Sequence, residues 1–311
     1  MPLPVPLERI GHIDTLRIIA AVGIVWFHTE GAPYRQIGYA GLPIFLLIFF
    51  SLITRRSYAE TATHFLRRRY ERLLRPWLFW SAVYGACRLA KAFETMDWTS
   101  LGGMVSLKTV FTGTYIHLWY LPYAFISGFL VYAVNGWTSK INYVAVVFTA
   151  AGIGALMLIA SAVDMSAHRL MEPLPQWEFG LAAIPLGFAV GRCLMIPSRR
   201  AQRRLLLMIA VVTMAVCVAL ISSGFPSPAI AYGLAIVPVC LACGWQSKSN
   251  GLTAALTPLT FGVYLIHPLI AFGLKTIFSV ERDYAALIAL TVCISGLVTW
   301  GLMKTPLRRF V

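Results

Sequence analysis

An apolar stretch near the start of the chain, IDTLRIIAAVGIVWFHTE (13–30), predicts a membrane helix that carries Asp14, Arg17 and His28. At about 100° and about 1.5 Å per residue, Arg17 and His28 lie within about 20° of one helix face and about 16 Å apart. A cation at the centre of a membrane helix costs about 2.5–3.5 kcal/mol, so such residues usually face a polar cavity. In the alternative, Arg17 and His28 each reach a membrane interface. Because Asp14 lies on the same helix face as these two residues, a functional role is favoured for all three.

The remaining sequence also has the composition of a membrane protein. Of the 311 residues, 59% are hydrophobic and 12% are charged, whereas a soluble domain carries about 25% charged residues. No cleavable signal peptide is expected, because the first twelve residues are polar or rich in proline. We expect an all-α, polytopic transmembrane bundle that forms a single domain over residues 1–311. Ten spans are predicted from hydropathy, at about 13–29, 38–54, 76–92, 117–135, 141–163, 177–195, 204–223, 228–245, 253–274 and 284–303.

The positions of the basic residues predict the orientation of these spans. With the N-terminus in the cytoplasm, most of the 26 lysines and arginines fall in inner connections, so both termini are predicted to be cytoplasmic. This placement accounts for the net charge of +14 without a nucleic-acid partner. The six cysteines lie in apolar segments and no two histidines have the spacing of zinc ligands, so no metal or redox site is expected.

The first predicted inner loop is rich in arginine. Its sequence, YAETATHFLRRRYERLLR (58–75), predicts an amphipathic helix with apolar residues such as Phe65 toward the membrane. Arg69 and Arg72 share a face, and Arg68 stacks near Arg72. Guanidinium groups bind phosphate oxygens in bidentate fashion, so the segment is a candidate phosphate site. In the alternative interpretation, these arginines only set the topology and rest on anionic lipid headgroups.

Two further motifs contain histidine and aromatic residues. HLWY begins at His117 and includes Trp119, at the entrance of a predicted span. The aromatic residues could equally form an interfacial belt. FGVYLIHP includes Tyr264, His267 and Pro268. Proline removes one helical hydrogen bond, so His267 either faces the same cavity as the first helix or packs beside the carbonyl that proline frees.

Together, IDTLRIIAAVGIVWFH, FLRRRYERLLRPW, HLWYL and FGVYLIHP resemble the membrane-bound acyltransferase-3 family, the bacterial O-acetyltransferases of surface polysaccharides. The resemblance covers the whole chain. The family pattern of arginine, ten residues and histidine falls on Arg17 and His28, and its R-x-x-R pattern falls on Arg69 and Arg72.

The resemblance implies about ten helices and an acyl group that moves from cytoplasmic acyl-CoA to a sugar hydroxyl. It also implies that His28 takes part in the transfer, that Arg17 lies near it, and that Arg69 and Arg72 hold the CoA phosphates. Many relatives that act on O-antigen or peptidoglycan carry a glutamate shortly after HLW, where this chain has 122–124, PYA. Some also carry a C-terminal esterase-like domain. Both departures point to exopolysaccharide acetylase-like members.

The mechanism expected from these residues is acyl transfer to a hydroxyl, with His28 as the general base or as a transient acyl carrier. Asp14 and Arg17 would extend the row of polar side chains on the same helix face as His28. Arg68 is grouped with Arg69 and Arg72 at the acyl-CoA phosphates. The candidates for contact with the acceptor or the cavity are His117, Trp119, Tyr264 and His267.

The expected donor substrate is acetyl-CoA or another acyl-CoA, with no permanently bound cofactor. The other expected partners are a glycan acceptor and the lipid bilayer of the bacterial inner membrane. A transporter or flippase of a lipid-linked glycan is the main alternative, since ten spans and a helix broken at Pro268 also fit that class. A non-catalytic scaffold or sensor would leave the polar side chains of the first span unexplained. The acceptor sugar and the oligomeric state stay open.

Overall fold

The computed structural model describes residues 10–56, 60–101, 106–163, 171–245, 247–278 and 283–311, and all regular structure within them is helical. The helices are α1 (Gly11–His28), α2 (Arg35–Gly38), α3 (Gly41–Arg56), α4 (Ala62–Arg69), α5 (Arg75–Thr95), α6 (Leu107–Thr112), α7 (Tyr120–Trp137), α8 (Tyr143–Val163), α9 (Leu174–Leu181), α10 (Ala183–Cys193), α11 (Arg199–Ser222), α12 (Pro226–Gly244), α13 (Gly251–Leu256), α14 (Thr260–Phe278) and α15 (Tyr284–Leu302). A π-helical turn, Tyr70–Leu74, joins α4 to α5, and a 3₁₀ turn, Pro306–Phe310, follows α15.

Seven segments of the described chain are long and apolar enough to cross a membrane. They are Arg35–Arg55, Ile116–Lys140, Tyr143–Val163, Arg199–Ser222, Pro226–Gly244, Gly251–Thr276 and Tyr284–Met303. The protein is therefore an all-helical, multi-pass membrane protein. The other three predicted spans are also helical: α1 includes Asp14 and Arg17, α5 includes several basic residues, and the third is divided into α9 and α10. The count of ten spans and the orientation of the termini remain predictions.

Helix α1 packs among α3, α12, α14 and α15. Its contact with the start of α3 depends on small residues, because a Cβ placed on Gly41 would collide with the carbonyl oxygen of Ala20. A Cβ placed on Gly23 would lie 2.8 Å from the carbonyl oxygen of Gly38. Small residues allow helices in membranes to approach until their backbones touch. The first helix is therefore in backbone contact with the end of α2 and the start of α3.

Helix α4, the π turn and α5 together cover most of the predicted arginine-rich segment. The expectation that Phe65 faces the membrane is wrong: its ring is 1% exposed and stacks on Tyr132 at a centroid distance of 4.5 Å. The apolar face of α4 is covered by protein because α7 runs beside it. Residues 58 and 59 of the predicted segment lie outside the described chain.

Candidate active site

A cavity of about 790 Å³ extends into the bundle along α1, and we call it the arginine cavity. Its lining contains the carboxylates of Asp14 and Glu71 and the guanidinium groups of Arg17, Arg55, Arg69, Arg72, Arg75, Arg308 and Arg309. Arg72, Arg308 and Arg309 are exposed and mark its mouth, whereas the lining residue Ile24 is buried deeper in the bundle. The excess of cations makes this space suitable for an anionic ligand.

Asp14 and Arg17 both line the arginine cavity, as their position one turn apart on α1 predicts. Asp14 is 7% exposed, and its Oδ2 atom has no hydrogen-bond partner among the described residues. A buried carboxylate oxygen normally has a partner, because its desolvation is costly. Its place in the cavity wall leaves that oxygen available to a bound molecule.

Arg69 and Arg72 line the same cavity, but Arg68 does not. The guanidinium of Arg69 lies over the rings of Phe49 and Phe65, each at 5.2 Å from the centroid. These rings hold the side chain in the cavity wall. Arg68 instead forms an ion pair with the buried carboxylate of Glu60 at 2.6 Å. The structure therefore gives no support to Arg68 as a member of the phosphate site.

Three histidine rings from separate parts of the chain form a second group, which we call the histidine cluster: His28, His117 and His267. The ring of His267 lies 5.1 Å from that of His28 and 5.7 Å from that of His117, measured between centroids. His117 and His267 are 3% and 1% exposed, whereas His28 is exposed. His28 is thus the member of the cluster that a molecule can reach without displacing protein.

Backbone carbonyls determine which nitrogen of each ring carries the proton. His28 donates from Nδ1 to the carbonyl oxygen of Ile24 at 2.8 Å. His117 donates from Nε2 to the carbonyl oxygen of Leu265 at 3.4 Å. Because a carbonyl only accepts, the other nitrogen of each neutral ring has a free lone pair. In His28 this nitrogen is Nε2, the position that a general base needs.

The same reasoning applies to His267, whose Nδ1 lies 2.8 Å from the carbonyl oxygen of Tyr264 and 3.2 Å from that of Val263. His267 does not line the arginine cavity. Of the two alternatives left by the sequence, its placement matches the packed histidine beside the carbonyl that Pro268 frees. Its Nε2, like Nδ1 of His117, has no hydrogen-bond partner in the described chain.

The arginine cavity contacts the histidine cluster through one lining residue but does not extend into it. Tyr264 lines the cavity, and its hydroxyl donates to the backbone carbonyl of His117. The α1 lining ends at Ile24, one helical turn before His28. The expected continuous wall from Arg17 to His28 is therefore interrupted. His267 of α14 lies next to His28 at a ring distance of 5.1 Å, and neither residue lines the cavity.

No group of three His, Cys, Asp or Glu side chains in the described ranges has the geometry of a metal site. A sequence model of the acyltransferase-3 family, described as an acyltransferase domain, matches residues 10–300. The chain belongs to the acyltransferase-3 family. The resemblance seen in the four motifs is thus confirmed over nearly the whole chain. No curated protein and no solved structure matches it.

Membership in the acyltransferase-3 family favours acyl transfer over the transporter and scaffold alternatives, because the family is described by that activity. One aromatic candidate of this acyltransferase, Trp119, lies outside the arginine cavity. Trp119 is buried with its ring against Tyr120 and Tyr123 and does not line the arginine cavity. Its neighbour Tyr120 lines the cavity instead. Helical periodicity could not distinguish these two adjacent aromatic residues, because their span begins with a 3₁₀ turn, Ile116–Trp119, and becomes α-helical only at Tyr120.

Proposed function

We propose that the protein is an integral membrane O-acyltransferase of the bacterial inner membrane. It moves an acyl group, acetyl in the simplest case, from acyl-CoA to a hydroxyl of a surface or lipid-linked polysaccharide. The observation that carries this proposal is the arginine cavity, which has a basic mouth and is lined by Tyr264, a residue in contact with the histidine cluster. In that cluster, Nε2 of His28 has a free lone pair. Membership in the acyltransferase-3 family supports the reaction type.

The anionic end of the donor binds at the basic mouth of the cavity. Arg69 and Arg72 form charge-assisted hydrogen bonds with its phosphate groups, as guanidinium groups do with phosphate oxygens. A cavity of about 790 Å³ falls within the range of about 300–1,000 Å³ that is usual for small-molecule sites. The thioester then extends toward Tyr120 and Tyr264, which line the cavity on the side of the histidine cluster.

Arg17 positions the donor and does not contact the reacting atoms. It lies eleven residues from His28, which is about 16 Å along the helix axis. Its side chain also points toward the N-terminus of α1, away from His28. Together with the unpartnered oxygen of Asp14, Arg17 supplies polar contacts midway along the cavity.

His28 acts as the general base in the transfer. Its Nδ1 is held by the Ile24 carbonyl, which orients the ring as the third member of a catalytic triad does. Nε2 takes the proton of the acceptor hydroxyl while the oxygen attacks the thioester carbonyl. The tetrahedral intermediate collapses, the carbon–sulfur bond breaks, and the CoA thiolate leaves and receives the proton. The acyl ester of the acceptor is the second product.

The decisive experiment compares surface glycans from cells that contain the protein, lack it, or contain His28→Ala. Mass analysis should show one acyl mass per repeat only with the unchanged protein. His12→Ala is the matched control, because His12 is exposed on the same helix but lies outside both the cavity lining and the histidine cluster. Identical glycans in all cells, with acyl-CoA unconsumed by membranes, would contradict the proposal and return a transporter to consideration.

A further inference from the structure

The segment after the last long helix folds back onto the mouth of the arginine cavity. Residues Pro306–Phe310 form a 3₁₀ turn whose start is capped by the Thr305 hydroxyl, which accepts from the backbone N–H of Leu307 at 3.1 Å. Arg308, Arg309 and Val311 line the same cavity as Asp14 and Arg69. In the sequence, Arg308 and Arg309 indicate only a basic end to a membrane span.

The segment is attached to α5 through Phe310. The ring of Phe310 stacks on Phe79 at a centroid distance of 4.3 Å and an interplanar angle of 9°. The indole N–H of Trp80 donates to the carbonyl oxygen of Phe310 at 2.9 Å. Trp80 is itself 5% exposed, so its position is well determined by packing. The two preceding arginines are therefore placed at the cavity mouth by packing around Phe310.

The charges at the mouth suit a ligand with several phosphate groups. Arg75 begins α5 and lines the cavity, and its guanidinium lies over the Phe310 ring at 5.9 Å from the centroid. Arg72 lines the same space from the π turn. One edge of the mouth thus carries basic side chains from the α4–α5 region, and Arg308 and Arg309 bring basic side chains from a distant part of the sequence. A single phosphate would not require arginines from both segments.

We propose that residues 306–311 complete the donor site and that Arg308 and Arg309 bind the phosphate groups of the acyl-CoA nucleotide. This inference rests on the proposed function, since it takes the donor to be a CoA thioester. A lipid headgroup offers the same phosphate chemistry, and the experiment must separate the two sources. The relevant contrast is between a thioester donor that carries phosphates and one that lacks them.

The test measures binding of acetyl-CoA and of S-acetylpantetheine, which has no phosphate, to purified full-length protein in neutral-lipid nanodiscs. In the double variant Arg308→Ala/Arg309→Ala, acetyl-CoA affinity should fall about 10-fold or more, as expected for lost charge-assisted hydrogen bonds. S-acetylpantetheine affinity should change less than about twofold, which also shows that the variant is folded. The control is Lys304→Ala, because Lys304 lies over the Trp300 ring and does not line the cavity.

Phe310→Ala provides an independent arm, because it leaves both arginines in the sequence but removes the ring that places them. This variant should also lower acetyl-CoA affinity. Phe310→Tyr, which keeps the aromatic ring, should retain the affinity of the unchanged protein. Unchanged acetyl-CoA binding in the double variant would overturn this inference and leave the proposed function intact. If the double variant kept its acetyl-CoA affinity and lost only its binding to anionic vesicles, the arginines would bind lipid headgroups, and the inference would be overturned as well. If the unchanged protein bound neither thioester, both the inference and the proposed function would be wrong.

Discussion

His267 donates its Nδ1–H to the carbonyl oxygen of Tyr264 at 2.8 Å. In a regular helix this carbonyl would accept from the N–H of residue 268, which is proline and has no N–H. The imidazole therefore replaces a missing backbone donor inside the bundle. The same bond fixes the tautomer of His267 and leaves its Nε2 with a free lone pair. The ring of His267 lies 5.1 Å from that of His28.

This relationship predicts a non-additive effect on stability. His267→Leu should destabilise the protein by about 1–3 kcal/mol, because the buried Tyr264 carbonyl loses its donor. Pro268→Ala restores a backbone N–H at that position, so the double variant His267→Leu/Pro268→Ala should recover part of the loss. Thermal unfolding in detergent measures all three variants as a double-mutant cycle. Strictly additive effects would show that the two side chains do not share this carbonyl.

Catalysis should depend on His28 and not on His12, the exposed histidine at the other end of α1. His28→Ala should lower the rate of acyl transfer by about 10²–10⁴-fold, the usual contribution of a general base. The rate is measured as acetyl transfer in membranes at matched protein levels, with His12→Ala as the control. If His28→Ala stayed within threefold of the unchanged rate, which is well below about 10², His28 would be removed from the mechanism.

The arginines of α4 and the π turn should separate into binding and structural residues. Arg69→Ala/Arg72→Ala should weaken acyl-CoA binding by about 10-fold or more, because both side chains line the arginine cavity. Arg68→Ala should leave binding nearly unchanged but lower the melting temperature, since the buried Glu60 loses its arginine partner and keeps only His64. Titration calorimetry and thermal unfolding distinguish the two effects. The reverse pattern would place the phosphate site on the Arg68 side of α4.

The close contact between α1 and α3 should be sensitive to a single methyl group. Gly41→Ala places a Cβ against the carbonyl oxygen of Ala20 and should cost about 1–3 kcal/mol through forced separation of the helices. Gly296→Ala on α15 is the control, because a Cβ there meets no atom within 4 Å. Thermal unfolding of both variants provides the comparison. Equal melting temperatures would mean that the helices accommodate the methyl group without separating.

The sequence was sufficient to predict the local features of the site. Membrane insertion follows from hydropathy, and the shared face of Asp14 and Arg17 follows from the helical period, since both depend on residues close together in the chain. The freed carbonyl beside His267 could be predicted for the same reason, because Pro268 acts on the backbone of its own helix. The four motifs predicted the family, which the match over residues 10–300 confirms.

Contacts between distant segments were decided only by the tertiary structure. Arg68 and Arg69 are adjacent in sequence, yet one pairs with Glu60 and the other lines the cavity, because the packing of α4 directs them to different neighbours. The approach of His267 to His28 depends on how α14 crosses α1. Arg308 reaches the cavity only because the Phe310 ring stacks on α5. Helical periodicity determines the face of each residue, but the partner of that face depends on how whole helices pack.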